Sequence, residues 1–138
     1  TPTLPRGEDR LSVLVVDDDP IQLRVLRDRL LRAGYTLITR DSTLGTSGFI
    51  LEHKPDLVLL DLGMPALGGA ELAMILRRHG INRLTGVILH SGMSRSELER
   101  LRVSTGALGA IQKNGDEERF LEELETLVGE LARKGPRS

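Results

Sequence analysis

The sequence contains no cysteine among its 138 residues. That absence excludes disulfides, thiolate nucleophiles and zinc sites built from cysteine. Aromatic residues are nearly absent as well, with one tyrosine, two phenylalanines and no tryptophan. Because single-stranded nucleic acids bind by stacking on aromatic side chains, the composition does not favour that class of ligand. The core must therefore consist mainly of aliphatic side chains.

The sequence also lacks a net charge of either sign. Nineteen Lys and Arg oppose 20 Asp and Glu, which gives a formal charge of −1 at pH 7. Without a basic field, binding to nucleic acid or to an anionic membrane through bulk charge is not expected. No apolar run approaches the roughly 20 residues of a membrane span, and the N-terminus does not resemble a signal peptide. We expect a cytoplasmic protein with no direct nucleic-acid or membrane contact.

The length suits a single domain with one core. Both ends of the sequence combine proline with polar residues, a composition typical of linkers. We therefore predict a linker at residues 1–10, one domain at residues 11–132 and a tail at residues 133–138.

Between these ends, short aliphatic runs alternate with longer helical patterns. This alternation indicates a parallel sheet covered by helices. The predicted strands are residues 11–16, 35–39, 57–60, 86–90 and 110–112. The predicted helices are, to within a few residues, 20–33, 44–54, 70–78, 95–103 and 116–131. The expected fold class is α/β, a doubly wound five-stranded sheet with five helices in a three-layer sandwich.

Local signals support two of the helix starts. Asp19 followed by Pro20 is typical of an N-cap with proline at the first helical position. Ser94 and Glu97 have the spacing of a capping box. The first and fourth helices are therefore predicted to begin at these positions.

Polar residues follow four of the five predicted strands. They are Asp17 with Asp18, Asp61, Ser91 and Lys113. In open α/β sheets, ligands bind outside the carboxyl ends of the strands, so these side chains are expected in one crevice. Carboxylates are suitable ligands for Mg²⁺, while a hydroxyl and an ammonium can contact phosphoryl oxygens. The pattern predicts a site for a hard cation and a phosphoryl group.

The histidines are predicted to lie outside this site. His90 precedes Ser91 on a strand, and strand side chains alternate between faces. We therefore expect His90 to pack in the core on the opposite face. His53 and His79 lie near helix ends and are expected on the surface.

Four segments together resemble the receiver domain of two-component response regulators, the family of the chemotaxis regulators. They are Val-Val-Asp-Asp-Asp-Pro at 15–20, Leu-Asp-Leu-Gly-Met-Pro at 60–65 with Gly69 beyond, Ser91-Gly92, and residues 109–113. The successive separations are 44 residues from Asp17 to Asp61, 30 from Asp61 to Ser91 and 22 from Ser91 to Lys113. The resemblance covers about residues 10–131 and implies a flavodoxin-like strand order of 2-1-3-4-5.

The resemblance also implies a role for each polar residue. Asp61 would be the phosphoacceptor, taking a phosphoryl group from a histidine of a partner kinase or phosphotransferase. Ser91 would be the switch hydroxyl that turns toward the phosphoryl group, and Lys113 would pair with that group. The implied ligands of a Mg²⁺ cofactor are Asp17, Asp18, Asp61 and the backbone carbonyl of Gly63.

The sequence departs from the family at three positions. Asn114 follows Lys113 where proline is usual, and a cis bond before a non-proline residue costs about 3 kcal/mol, so a trans peptide is expected. Ala110 occupies the position of the usual aromatic switch residue, so an aromatic rotamer change cannot transmit phosphorylation. Gly68 replaces a polar residue before Gly69, which predicts a looser start to the third helix.

In the family, output uses the face formed by the fourth helix, fifth strand and fifth helix. Its mixed charge suits docking of a downstream protein or fused output domain, or pairing of two copies of the chain. The residues expected on this output face are Arg95, Glu99, Arg102, Ala110, Gln112, Glu117, Glu118 and Phe120.

Three alternatives remain open from the sequence. A phosphorylation-independent pseudo-receiver would act only as an interaction module. An aspartyl-phosphate phosphatase would use the same nucleophile with Mg²⁺, but the position of its general acid is Gly63 here. A flavodoxin-like flavin carrier would need a Ser/Thr-rich phosphate loop and aromatic side chains, which the sequence lacks.

Overall fold

The computed structural model describes residues 11–63, 68–113 and 116–133. The strands in these ranges form one parallel sheet of order β2-β1-β3-β4-β5. They are β1 (Ser12–Val16), β2 (Thr36–Arg40), β3 (Leu57–Asp61), β4 (Gly86–Ser91) and β5 (Gly109–Gln112). The predicted fold class and strand order are confirmed, with strand ends within one residue of those expected.

Five α-helices connect and follow the strands. They are α1 (Pro20–Arg32), α2 (Thr46–His53), α3 (Gly69–Arg78), α4 (Arg95–Thr105) and α5 (Glu117–Arg133). A short 3₁₀ helix, Ile81–Arg83, which was not predicted, follows α3. Within the described ranges, no helix combines the length and apolar character that crossing a bilayer requires.

The helices divide between the two faces of the sheet and create two core layers. Leu26 of α1 and Leu124 of α5 pack on the face that carries Val13, Val15 and Ile111. On the other face, α2, α3 and α4 cover a second cluster, represented by Leu14, Leu60, Leu72, Leu89 and Leu98. β3 is buried along its whole length because helices cover both faces. This burial explains its uninterrupted apolar sequence.

Both predicted N-caps are present. The Asp19 carboxylate accepts a hydrogen bond from the backbone N–H of Ile21 at 2.9 Å, and Pro20 begins α1. The Ser94 hydroxyl accepts from the Glu97 N–H at 3.3 Å. The Glu97 carboxylate accepts from that hydroxyl at 2.9 Å, so its described partner is the Ser94 side chain.

The predicted terminal segments lie almost entirely outside the described residues. This applies to the linker at 1–10 and to the tail at 133–138, of which only Arg133 is described. Arg133 is the last residue of α5.

Candidate functional site

Sheet pairing brings the predicted polar residues to one edge. Asp61 and Ser91 are the last residues of β3 and β4, while Asp17 and Lys113 directly follow β1 and β5. β1 lies beside β3, with Val16 paired to Leu60, and β4 lies between β3 and β5. Because all strands run parallel, their carboxyl ends meet at the same edge. The crevice expected there is therefore lined by residues from four strands.

Three carboxylates form the acidic part of this site. One oxygen each of Asp17, Asp18 and Asp61 can be chosen so that all lie within 4.8 Å of one another. Asp17 and Asp61 are buried, with 1% and 7% of their surface exposed, whereas Asp18 is exposed. Carboxylate oxygens at this separation fit a hard divalent cation that keeps part of its water shell. The donor set is thus suited to Mg²⁺.

Lys113 contacts two of these carboxylates. Its Nζ lies 2.8 Å from Asp61 Oδ1 and 3.5 Å from Asp17 Oδ2. Burial by itself lowers the pKa of the ammonium, but hydrogen bonding to Asp61 and the charges of both carboxylates outweigh it and raise that pKa above its usual value. Lys113 therefore remains charged at neutral pH and supplies a fixed positive group at Asp61.

Asp17 occupies the least solvated position of the cluster. Burial raises the pKa of its carboxyl above the ordinary value, and the negative charge of Asp61 adds to the rise. The backbone N–H of Asp19, 3.0 Å from Asp17 Oδ1, and the ammonium of Lys113 partly offset that effect. A divalent cation would relieve the same cost of burying charge.

Two glycines lie against the Asp61 residue. A Cβ at Gly69 would lie 2.0 Å from the backbone oxygen of Asp61, which no side chain can tolerate. The first turn of α3 is therefore packed tightly on the end of β3. Gly68 is the N-cap of α3 and makes no side-chain capping hydrogen bond, so the looser start predicted there stays a prediction. A Cβ at Gly63 would lie 3.9 Å from both carboxylate oxygens of Asp61, so residue 63 lies directly beside them.

The Ser91 hydroxyl is held by its own loop. Its Oγ accepts a hydrogen bond from the backbone N–H of Met93 at 3.1 Å. The Met93 carbonyl in turn accepts from Nε2 of Gln112 at 2.9 Å. Gln112 is predicted from the sequence only as a residue of the output face. No local sequence pattern marks this contact, because it depends on the register that pairs Gln112 with Ser91 across β4 and β5.

His90 packs on the opposite face of the sheet from Ser91, as predicted. Only 3% of its surface is exposed, and its ring centroid lies 5.5 Å from that of Phe120. Burial, together with the positive charges of Lys113 and Arg29, lowers its pKa from 6.5 to about 3. His90 is therefore neutral at physiological pH. His53 and His79 are exposed, also as predicted.

The predicted output face requires two corrections. Phe120 is not on the surface: it lies on the buried side of α5, with 3% of its surface exposed. The guanidinium of Arg29 lies 5.2 Å from its ring centroid. Glu117 is exposed, but its carboxylate pairs with Arg32 of α1 at 2.7 Å, so it faces α1 and not α4.

The other residues predicted on this face are exposed or partly exposed, including Ala110. Arg95 pairs with Glu123 of α5 at 3.3 Å, which links α4 to α5 across this face.

Two parts of the predicted pattern lie outside the described residues. They are the Met64-Pro65 pair and Asn114, and the expected trans peptide after Lys113 therefore stays a prediction.

Comparison with known proteins agrees with this geometry. The family model of the response regulator receiver domain matches residues 13–125. The sequence is 28% identical over 120 residues to the polar-differentiation response regulator DivK of Brucella anthropi, covering 86% of this chain and 97% of DivK. It is 45% identical over 65 residues to the transcriptional regulatory protein KdpE of Mycobacterium tuberculosis, covering 47% of this chain but only 29% of KdpE.

Solved structures resemble the whole fold. A CheY-like receiver domain protein from Methanospirillum hungatei JF-1 superposes with a TM-score of 0.79 at 22% identity, covering 96% of this chain and 100% of that one. Chemotaxis response regulator CheY4 of Vibrio cholerae gives a TM-score of 0.76 at 22% identity, covering 91% and 99% of the two chains. At this identity the likeness establishes the fold.

Proposed function

Because the chain belongs to the response regulator receiver domain family, we propose that Asp61 accepts a phosphoryl group from a histidine of a partner kinase or phosphotransferase. The observation that carries this proposal is the contact of Lys113 Nζ with Asp61 Oδ1 at 2.8 Å, inside a cluster of three carboxylates. A carboxylate is a useful nucleophile toward phosphorus only where cations offset the accumulating charge. Lys113 supplies one such cation in the chain itself.

The transfer exchanges an N–P bond for an O–P bond. An oxygen of the Asp61 carboxylate attacks phosphorus, the O–P bond forms, and the N–P bond of the phosphohistidine breaks. The imidazole nitrogen leaves with the bonding electron pair and takes up a proton from solvent. Lys113 Nζ stays against the acceptor carboxylate and its phosphoryl oxygens, while the Ser91 hydroxyl is the donor on the β4 side.

The proposed cofactor is Mg²⁺, held by Asp17, Asp18, Asp61 and the backbone carbonyl of Gly63. When bound, Mg²⁺ would offset the negative charge that the phosphoryl group brings to these carboxylates. The residues fit it because oxygens of the three carboxylates lie within 4.8 Å of one another and residue 63 lies beside Asp61.

The domain is proposed as a cytoplasmic signalling module, not as an enzyme acting on external phosphate esters. Such an enzyme needs a general acid to protonate the leaving group. Gly63, which is next to the Asp61 carboxylate, has no side chain to supply one. The partner of the phosphorylated state would be a downstream protein, a fused output domain or a second copy of the chain, docking on the face of α4, β5 and α5.

Labelling with a small phosphodonor tests the proposal. The protein is incubated with acetyl phosphate and Mg²⁺, and the modified residue is located by mass spectrometry. We expect one phosphoryl group on the wild type and none on Asp61→Asn. The matched control is Asp28→Asn, which changes an exposed carboxylate on α1 and should leave labelling intact. Modification that survives Asp61→Asn would contradict the assignment.

The pseudo-receiver is the alternative, and the substitution of Ala110 for the usual aromatic favours it. It predicts that wild type neither labels nor binds Mg²⁺, measured by calorimetric titration. The buried carboxylates and the charged Lys113 support the phosphoacceptor instead.

A further inference from the structure

The loop between β4 and α4 connects the proposed phosphoacceptor site to the output face. It consists of residues 92–94 and begins directly after Ser91. It ends at Ser94, whose hydroxyl caps α4. Any displacement of this loop therefore changes the position of the α4 N-terminus. The contacts that hold the loop therefore determine how a change at the site alters the position of α4.

Two hydrogen bonds hold the central residue of this loop, Met93, through the two peptide groups that flank it. The N–H of Met93 donates to Ser91 Oγ at 3.1 Å, and the C=O of Met93 accepts from Gln112 Nε2 at 2.9 Å. A carbonyl can accept only from the amide nitrogen of glutamine, so the orientation of the Gln112 side chain is unambiguous. Met93 is thus fixed on one side by the switch hydroxyl and on the other by β5.

The backbone at Gln112 is linked directly to the site. It pairs with Ser91 across the β4–β5 ladder, and the following residue, Lys113, donates its backbone N–H to the Ser91 carbonyl at 2.7 Å. Lys113 also carries the ammonium that contacts Asp61. One stretch of two residues therefore contacts both the phosphoacceptor and the loop.

Ala110 makes no comparable contact. It lies two residues before Gln112 on the same face of β5, packed against the apolar cluster. Its methyl group has no polar atom to bond to the loop. Within the described residues, Gln112 is the β5 side chain that forms a hydrogen bond with the β4–α4 loop.

We propose that Gln112 is a positioning residue whose hydrogen bond to Met93 holds the β4–α4 loop, and with it the Ser91 hydroxyl, in the arrangement of the phosphoryl-free domain. The proposal rests on the proposed function, because it assigns a regulator to the same site. For Ser91 to turn toward a phosphoryl group on Asp61, its Oγ must leave the Met93 N–H. The Gln112 bond resists that displacement because it holds the same residue, Met93.

A contact that forms only in the phosphoryl-free domain stabilises that conformation, and so it lowers the affinity of the domain for a phosphoryl mimic. One intramolecular hydrogen bond is worth a factor of about two to ten. Removing the Gln112 amide therefore raises the affinity for a phosphoryl mimic by that factor. The increase must depend on Ser91, because the bond acts through that hydroxyl.

The test measures beryllofluoride affinity in the presence of Mg²⁺ for Gln112→Met, which keeps the length of the side chain but cannot donate. We expect a two- to ten-fold increase over wild type and no increase when the same change is made in Ser91→Ala. Gln112→Glu, equal in shape but also unable to donate, should shift the affinity in the same direction. Gln22→Met is the matched control, since that amide has no hydrogen bond within the described residues, and should leave the affinity unchanged.

Amide hydrogen exchange provides a second measurement that does not require the mimic. The Met93 and Ser94 N–H groups should exchange faster in Gln112→Met, while those of β1 and β3 keep their protection. Unchanged affinity with unchanged exchange, or an equal increase in the Ser91→Ala background, would overturn the inference and leave the proposed function standing. Absence of beryllofluoride binding and of Asp61 labelling in wild type would refute the proposed function, and the inference with it.

Discussion

At the carboxyl edge of the sheet, the β1–β3 side and the β4–β5 side are held in place by different means. On the β1–β3 side, Asp17 and Asp61 are buried, and Gly69 packs directly on the backbone of Asp61. On the β4–β5 side, Ser91, Met93 and Gln112 are connected by two hydrogen bonds, one from a side chain and one to a side chain.

The two sides therefore differ in how much substitution they tolerate. Backbone packing leaves no room for substitution, because any added atom displaces a strand or a helix. A hydrogen bond contributes about 1 kcal/mol and can be formed by a different residue nearby. The chain accordingly retains the acidic cluster of its family, yet carries Ala110 in place of an aromatic and a Gln112 contact on the same strand.

The substitution that should break the β1–β3 side most severely is Gly69→Ala. The new Cβ would meet the Asp61 backbone oxygen at 2.0 Å, and neither β3 nor α3 can yield without moving Asp61. We expect a loss of about 3 kcal/mol or more in the free energy of unfolding, measured by urea denaturation. Gly129→Ala is the control, since its Cβ would meet nothing within 4 Å apart from its chain neighbours and its own helix backbone, and alanine favours the helix by about 0.5–1 kcal/mol. A Gly69→Ala protein as stable as wild type would refute the packing argument.

The next largest effect is expected where the two sides meet, at Lys113. Lys113→Met removes the ammonium beside Asp61 and Asp17 but keeps a similar apolar volume. We predict a roughly 100-fold lower initial rate of labelling by acetyl phosphate, the usual cost of losing one preorganised electrostatic group. The control is Lys54→Met, an exposed lysine next to α2 that contacts none of these carboxylates. Equal rates for wild type and Lys113→Met would show that the ammonium has no part in the transfer.

The third prediction concerns His90, which belongs to neither side of the site, and its contribution to the pH dependence of the free energy of unfolding. Its unfolded pKa is 6.5 and its folded pKa about 3, so the unfolded chain binds the proton more tightly. The stabilisation is complete above pH 6.5 and is lost as the pH falls toward 3. Between pH 7 and pH 5, His90 should account for a loss of about 2 kcal/mol in the free energy of unfolding.

Comparison of two variants isolates this contribution. His90→Leu should flatten the slope of stability against pH between 7 and 5, whatever its effect on stability at pH 7. His79→Leu, at an exposed position, should keep the wild-type slope. Identical slopes for all three proteins would contradict a neutral, buried His90.

Much of this arrangement could be predicted from the sequence because three of the strands, β1, β3 and β4, are buried along almost their whole length. Their apolar runs located these three strands, and the polar residues that follow four of the five strands located the crevice. Gly69 could be noted as a motif residue, but its 2.0 Å approach to Asp61 depends on how α3 docks, which no local pattern encodes. The Gln112–Met93 bond could not be predicted for the same reason, since it joins residues 19 positions apart and depends on strand register. The prediction of Phe120 on the output face is wrong because neighbouring residues of a helix point in different directions around its axis, and this phenylalanine points into the core.

The smallest predicted effect tests whether a change on the β4–β5 side can lower stability without changing the rate at which Asp61 is labelled. Ser94→Ala removes the oxygen that accepts the Glu97 N–H and should lower the free energy of unfolding by about 1 kcal/mol. Ser104→Ala, near the other end of α4, should be neutral within about 0.5 kcal/mol because alanine favours a helix. The rate of Asp61 labelling should be unchanged in both, since Asp61, Asp17 and Lys113 make no described contact with Ser94. A large loss of labelling in Ser94→Ala would mean that the acceptor geometry depends on the α4 N-terminus, and the contrast between a backbone-fixed side and an adjustable side would fail.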